Sequence, residues 1–194
     1  MPPRELPLFP LNTVLFPGGP LPLRIFETRY LDMVRRCLRE DTGFGVVLIR
    51  EGAEAGTPAR FAGVGTEARI VDFNRLEDGL LGISCTGLGR FRVVEAWRAD
   101  DGLNVGRVED LEPEPRLPLP PEHAHLAGAL RRVLPELGEA YARVARDFDD
   151  AAWVGNRLAE LLPLELPARQ ALLELTDPRE RLAILAPLIR AAQA

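Results

Sequence analysis

Proline placement constrains this chain more than any other feature. Five prolines fall at positions 7, 10, 17, 20 and 22, and five more at 113, 115, 118, 120 and 121. Proline has no N–H to give to a ladder, so a strand tolerates it only at ends, open edges and bulges. Between the first five lie runs such as "NTVLF" and "LPLRIF", with the β-branched and aromatic content of strands, and Gly18-Gly19-Pro20 reads as a turn. Residues 6–30 are therefore expected to contain two short strands at the rim of a barrel or sandwich. A secretion signal would need an uninterrupted apolar run of about 7–15 residues, whereas the runs here break every few residues. No stretch of roughly 18 apolar residues, the length needed to span a bilayer, occurs anywhere. A soluble, cytoplasmic protein is the expectation. P-x-x-P spacing occurs at Pro7–Pro10 and Pro17–Pro20, but its dense apolar filling favours burial over display as a polyproline ligand.

The second cluster, "PEPRLPLPP" over 113–121, reads as a stiff linker. It separates a β-rich part, 1–112, from a helical part, 122–194. In the first part, Tyr30, Leu31, Val34, Cys37 and Leu38 share one face of a helix that starts near Thr28 and is closed by Gly43. Strands are expected over 44–50, 60–76, 80–87, 90–97 and 103–111, with Asp78-Gly79 and Asp101-Gly102 as hairpin turns. The result would be a mainly antiparallel sheet, closed or folded over itself. In the second part a helical stretch over 122–147 is kinked or divided at Pro135. Asp149 or Asp150 caps "AAWVGNRLAELL", whose stripe is Trp153, Val154, Leu158, Leu161 and Leu162. Pro167 sits where a first helical residue would, and Asp177-Pro178 opens a last helix kinked at Pro187.

Composition removes much chemistry. All 24 basic residues are arginine, which excludes a P-loop lysine, Schiff-base chemistry and a Ser-Lys pair. Ser84 is the single serine and lacks a nucleophile-elbow context. Cys37 and Cys85 have no C-x-x-C pairing and read as buried, reduced thiols. His123 and His125, at i, i+2 near a helix start, point apart, so no metal site is expected. "GVGTEA" over 63–68 matches G-x-G-x-x-A, but a strand-like run follows where a dinucleotide loop needs a helix. A close-packed or bulged strand is the better reading. Glu27, Asp32, Glu67 and Asp72 are acid–base candidates that spacing cannot bring together. Glu27 and Arg29 in "FETRY" suit an ion pair that orients the helix start. Residues 1–112 carry 14 arginines against 17 acids and residues 113–194 carry 10 against 12. Neither part is cationic overall, which weighs against nucleic acid as a partner.

Four segments in order, "LPLFPLNTVLFPGGPLPLRIFETRY", "FAGVGTEARI", "GLLGISCTGLGRFRV" and "LAELLPLELPARQALLELTDPRERLAIL", resemble the N-terminal, substrate-binding domain of Lon protease. The resemblance implies an α+β fold: a PUA-like antiparallel pseudo-β-barrel with one helix, followed by a C-terminal helical bundle. It also implies a module without ATPase or peptidase domains, akin to stand-alone Lon-domain proteins and to the Lon-like part of cereblon. Such a module is expected to bind unfolded or exposed hydrophobic polypeptide in protein quality control, without catalysis, cofactor or metal. Carried over from the matching motifs, Pro17, Pro22, Arg24, Phe26, Glu27, Arg29, Tyr30, Thr66 and Arg90 are the candidate contacts. A separate protease is a further expected partner, and self-association through the helices stays open. The alternative is an RNA-binding PUA-like protein, which would show a local arginine cluster on one sheet face.

Overall fold

Alternating apolar residues from Leu6 onward form the first strand of a sheet that closes on itself. The structure, a computed structural model, describes residues 3–51 and 60–192, with side chains as far as Ile189. The chain divides into two units, residues 1–112 and 113–194. The described residues of the first unit form β1 (Arg4–Leu11), β2 (Pro20–Ile25), α1 (Thr28–Glu40), β3 (Phe44–Glu51), β4 (Arg60–Phe61), β5 (Val64–Arg75), β6 (Leu81–Arg98) and β7 (Asn104–Asp110). Their order is β1-β7-β6-β5-β3-β4, with β2 on β6. β1 also pairs with β3, so β1, β7, β6, β5 and β3 make a closed ring. That last pairing is parallel and the others are antiparallel.

The prolines obey the ladder rule in a way their spacing alone did not reveal. β1 pairs with β7 through residues 4–8 and with β3 through residues 8–11. Pro7 and Pro10 each lie where the strand has one partner only, leaving an open side for a nitrogen without hydrogen. Pro20 and Pro22 lie on β2, which pairs only with β6. "NTVLF", expected as a strand, is a buried connection instead. Leu15 and Phe16 are 4% and 0% exposed, and the Leu15 carbonyl accepts the Thr66 hydroxyl at 2.6 Å. A turn then runs from Phe16 to Gly19, whose N–H donates to the Phe16 carbonyl at 3.0 Å. Pro17 fits its second position and Gly18 its third, where φ is 73°.

The segments expected as separate strands at 80–87 and 90–97 are one long strand, β6. The reason is Gly87, which exchanges backbone hydrogen bonds with Gly18 and Gly19 at 2.8 and 2.9 Å, so the chain continues past it in ladder geometry. The hairpin turns fall as expected, with Gly79 and Gly102 at φ 84° and 81°. α1 is capped two residues before its glycine, Gly43. Asp41 takes the left-handed conformation at φ 51°, and its N–H bonds the Cys37 carbonyl. Met33, not Leu38, completes the buried face: Met33 is 1% exposed and Leu38 41%.

Phe9, Leu11, Ile25, Tyr30, Met33, Val34, Phe44 and Ile83 form the main core of this unit. Phe9 and Tyr30 stack with ring centroids 3.8 Å apart. Leu6, Leu8, Val47, Phe91 and Val108 make a second cluster. Each such side chain stabilises the fold by about 1.5–3 kcal/mol.

The second unit contains α2 (Ala124–Val133), α3 (Glu139–Ala142), α4 (Ala151–Leu161), α5 (Leu166–Glu174) and α6 (Pro178–Ala192). Pro135 lies in a short 3-10 turn that separates α2 from α3. Asp150 caps α4, accepting from the N–H groups of Ala152 and Trp153 at 3.4 and 3.1 Å. The residues expected as a linker are tied into this unit. Leu117 N–H donates to Asp150 Oδ1 at 3.1 Å, and its carbonyl accepts Ala151 N–H at 2.8 Å. Glu114 chelates the guanidinium of Arg181. Proline stiffens these residues, but their unpaired carbonyls and N–H groups still find partners. Among the described residues no helix is long and apolar enough to cross a membrane.

Candidate functional site

Strand register brings an apolar row from the core to the surface. Across β2, β6 and β5, Leu23, Ile83 and Phe73 are direct neighbours, and directly opposed residues share a face. Ile83 is 2% exposed and Phe73 57%, so the row passes from core to solvent. The next rows are Pro22, Ser84 and Asp72, and Arg24, Gly82 and Asn74. Val71, 54% exposed, falls at the register shift between Ile70 and Asp72.

The two outer strands of this ribbon differ in one respect. β2 carries Pro20 and Pro22, which blunt its edge. β5 pairs with β3 only through residues 66–68, so among the described strands residues 71–75 have a ladder partner in β6 alone, and all five are exposed. The Phe73 N–H is held by its neighbour's Asp72 Oδ1 at 2.9 Å, a local contact that an incoming strand would displace. Phe26, 64% exposed, sits between the end of β2 and the start of α1.

The residues carried over from the motifs fall into two groups. Pro22, Arg24 and Phe26 are exposed beside this ribbon, and Arg24 pairs with Asp78 of the β5–β6 hairpin. Pro17 is half-buried in its turn. The others hold the fold. Glu27 and Arg29 form the expected ion pair at 2.8 Å. Arg29 also donates to the Gly102 carbonyl at 2.9 Å and lies over the Tyr30 ring, tying the start of α1 to the β6–β7 hairpin. Tyr30, Thr66 and Arg90 are 3%, 0% and 4% exposed, so their side chains face the interior. Val71 and Phe73 were missed, although "IVDFNRL" just before Asp78-Gly79 carries the signal: apolar residues near a hairpin tip.

Among the described residues of this unit, neither cysteine and no serine has a histidine or carboxylate base among its hydrogen-bond partners. Burial pushes the Cys85 thiol up to about 12 and raises the Cys37 thiol, which leaves both as inert core residues. The candidate carboxylates are engaged separately: Glu27 by Arg29, Asp32 by Arg35, Glu67 by Arg4, and Asp72 by the Phe73 N–H. Arg4 bridges Glu67 and Asp110 at 2.5 and 2.8 Å, and its hydrogen bond holds the Asp110 carboxyl below the usual range. "GVGTEA" runs into β5 and not into a helix. Among the described residues no group of three or more His, Cys, Asp or Glu side chains is placed to hold a metal ion.

Among the described residues of the second unit, Glu160 is a buried carboxylate with a shifted proton affinity. Glu160 accepts from Arg157 at 2.9 Å and from the Tyr141 hydroxyl at 3.4 Å. Burial raises it to about 7, while Arg157 pulls in the opposite direction. The folded unit therefore retains a proton that the unfolded chain releases near 4.5. Between these two values the contribution of Glu160 to stability falls as pH rises, and above about 7 it is constant. Urea unfolding midpoints at pH 5 and pH 7.5 check this: E160Q is expected to show a smaller drop than the wild-type chain across the interval, and an equal drop would contradict it.

Residues 5–191 match the family model of the ATP-dependent protease La (LON) substrate-binding domain. Lon protease 2 of Myxococcus xanthus is 29% identical over 194 residues, covering 96% of this chain and 24% of that protein. Lon protease 1 of Sorangium cellulosum is 32% identical, over 94% of this chain and 24% of that protein. Cereblon of Xenopus tropicalis is 30% identical over 135 residues, 68% of this chain and 29% of that protein. The chain thus spans about a quarter of the length of the Lon proteases it matches. A crystal structure of a Lon N-terminal domain protein from Xanthomonas campestris superposes with a TM-score of 0.78 at 45% identity, covering 95% of this chain and 98% of that one. The N-terminal domain of Mycobacterium avium complex Lon protease shares the fold at a TM-score of 0.64 and 18% identity, covering 94% of this chain and 96% of that one. With the model matched from β1 to α6, the chain belongs to the family of Lon substrate-binding domains.

Proposed function

We propose that this chain is a non-catalytic module that captures unfolded or exposed apolar polypeptide segments, acting in protein quality control in the cytoplasm. The β unit is read as a PUA-like pseudo-barrel and the helical unit as a bundle, with 113–121 joining them. A separate protease is the partner this reading suggests, and self-association through the helices is compatible with it. The observation that carries the reading is the open edge of β5 at residues 71–75, flanked by exposed Val71 and Phe73. A client segment added there as a strand would gain backbone hydrogen bonds independent of its sequence, and apolar contact from Phe73. Pro22, Arg24 and Phe26 border the same ribbon, while Pro17, Glu27, Arg29, Tyr30, Thr66 and Arg90 support it.

Fluorescence anisotropy with a labelled, reduced and alkylated polypeptide tests the proposal. Saturable binding is expected for the intact chain, weakened about tenfold in Phe73→Asp, because burying a phenylalanine contributes about 1.5–3 kcal/mol. Phe73 is mainly exposed, so the variant should fold. Absence of saturable binding by the intact chain would sink the proposal, and unchanged affinity in Phe73→Asp would remove β5 from it.

A further inference from the structure

The edge of β5 proposed above to hold a client is also complementary to itself. Asp72, Phe73, Asn74 and Arg75 stand opposite Ser84, Ile83, Gly82 and Leu81 of β6. Beyond them the Leu76 N–H donates to the Leu80 carbonyl at 2.9 Å. Hydrogen-bonded and open pairs alternate along an antiparallel ladder, so Leu76, Asn74 and Asp72 turn their backbone groups to β6 while Arg75 and Phe73 turn theirs outward. The Phe73 N–H agrees, since it donates to the Asp72 carboxylate. No proline interrupts residues 69–77, so this edge lacks the device that guards β2 against pairing with another chain.

Outward groups at odd positions pair only with odd positions of a second copy. An antiparallel pair centred on Phe73 overlaps all of residues 71–75: Phe73 meets the Phe73 of the other copy, Val71 meets Arg75, and Asp72 meets Asn74. No like charges are opposed in this register. Each Arg75 lies diagonally across from the other copy's Phe73, within reach of a cation–π contact. Just beyond the overlap, Arg69 of one copy comes level with Glu77 of the other. Arg69 already holds Asp41 at 2.7 Å, but that pair is exposed and readily shared. Neighbouring registers are worse. Centring on Asp72 sets Asp72 against Asp72 and Arg69 against Arg75, and like charges directly opposed are destabilising. Centring on Asn74 sets Val71 against Glu77 and Asp72 against Leu76.

We infer that two copies of this chain pair through β5, antiparallel and centred on Phe73, and that this pairing regulates client capture by covering the same edge. The regulatory role rests on the function proposed above; the pairing itself does not. Five residues a side is far fewer than the roughly 20–30 of a stable complex, so a weak dimer is expected, with Kd on the order of 100 μM. Such a dimer shields an otherwise unguarded edge where the protein is concentrated and releases it on dilution or when a client competes.

Sedimentation equilibrium of the full chain between about 5 and 500 μM tests the inference. A monomer–dimer equilibrium is expected. Phe73→Asp, which places two carboxylates at the centre of the pair, should weaken it at least about tenfold. Val71→Glu should tighten it about threefold or more, because it creates two Glu–Arg75 pairs that exist only in this register. Val71 and Phe73 are both exposed, so each variant should fold. A chain that stays monomeric throughout, or a dimer indifferent to both variants, would overturn the pairing whether or not a client binds. The reduced and alkylated polypeptide should lower the dimer population in proportion to its own binding. A polypeptide that binds and leaves the dimer intact would overturn the regulatory role, and one that does not bind at all would end the client reading together with that role; sedimentation of the variants decides the pairing in either case.

Discussion

Replacing Glu114 with alanine is expected to destabilise the helical unit by about 3–5 kcal/mol, the cost of leaving a buried charge without its partner. Arg181 is fully buried, and Glu114 meets both of its terminal nitrogens at 2.7 and 2.5 Å. Arg181 also donates to the carbonyls of Leu172 and Leu175, at 3.0 Å each. One guanidinium thus joins the proline-rich entry segment to the end of α5 and its connection to α6. Without the carboxylate, the cation has lost its hydration and retains only neutral acceptors. Urea denaturation followed by circular dichroism measures the loss. The double variant Glu114→Leu/Arg181→Met removes both charges and is expected to lie much closer to the wild-type chain, because the desolvation cost disappears with the pair. A loss below about 1 kcal/mol for Glu114→Ala would show that the pair is not what holds the segment.

A second large effect is expected at Gly65. A Cβ there would lie 2.4 Å from the Val46 carbonyl oxygen and 2.8 Å from side-chain atoms of Phe91 and Val47. The closest obstacle is backbone, so β3 and β5 would have to separate where their register pairs Val46 with Thr66. Gly65→Ala is expected to cost about 1–3 kcal/mol or more, lowering the melting temperature by at least about 4 °C. Gly63, two residues earlier in the same motif, has open space where its Cβ would be, and Gly63→Ala should stay within about 0.5 kcal/mol. Paired thermal melts decide the matter. Equal behaviour of the two variants would mean that the close approach at Gly65 does not limit the sheet.

This contrast also shows how far "GVGTEA" could be read in advance. A strand-like continuation was enough to reject a phosphate loop, because that loop requires a helix. It could not tell which glycine lies under a neighbouring carbonyl. Similarly, "FETRY" was legible as an ion pair at a helix start, since the partners are two residues apart. The destination of Arg29's other contact, the Gly102 carbonyl, was not, because 73 residues separate them. Of the carried-over residues, Tyr30, Thr66 and Arg90 belong to the interior: a motif records which residues a fold needs without saying which of them reach solvent. Phe73 and Val71 were passed over for the opposite reason, since apolar residues in a strand read as core until the neighbouring strand is known to stop short.

Periodicity, turn residues and caps act over a few positions, so the sequence by itself determined the succession of strands, hairpins and helices, the separation of a β part from a helical part, and the lack of lysine-dependent chemistry. Closure of the sheet by a parallel β1–β3 pairing, the fusion of two expected strands into β6, and the place where β5 outruns β3 were decided only by the tertiary structure. Those features depend on where one strand ends relative to another, which long-range packing sets and no local propensity encodes.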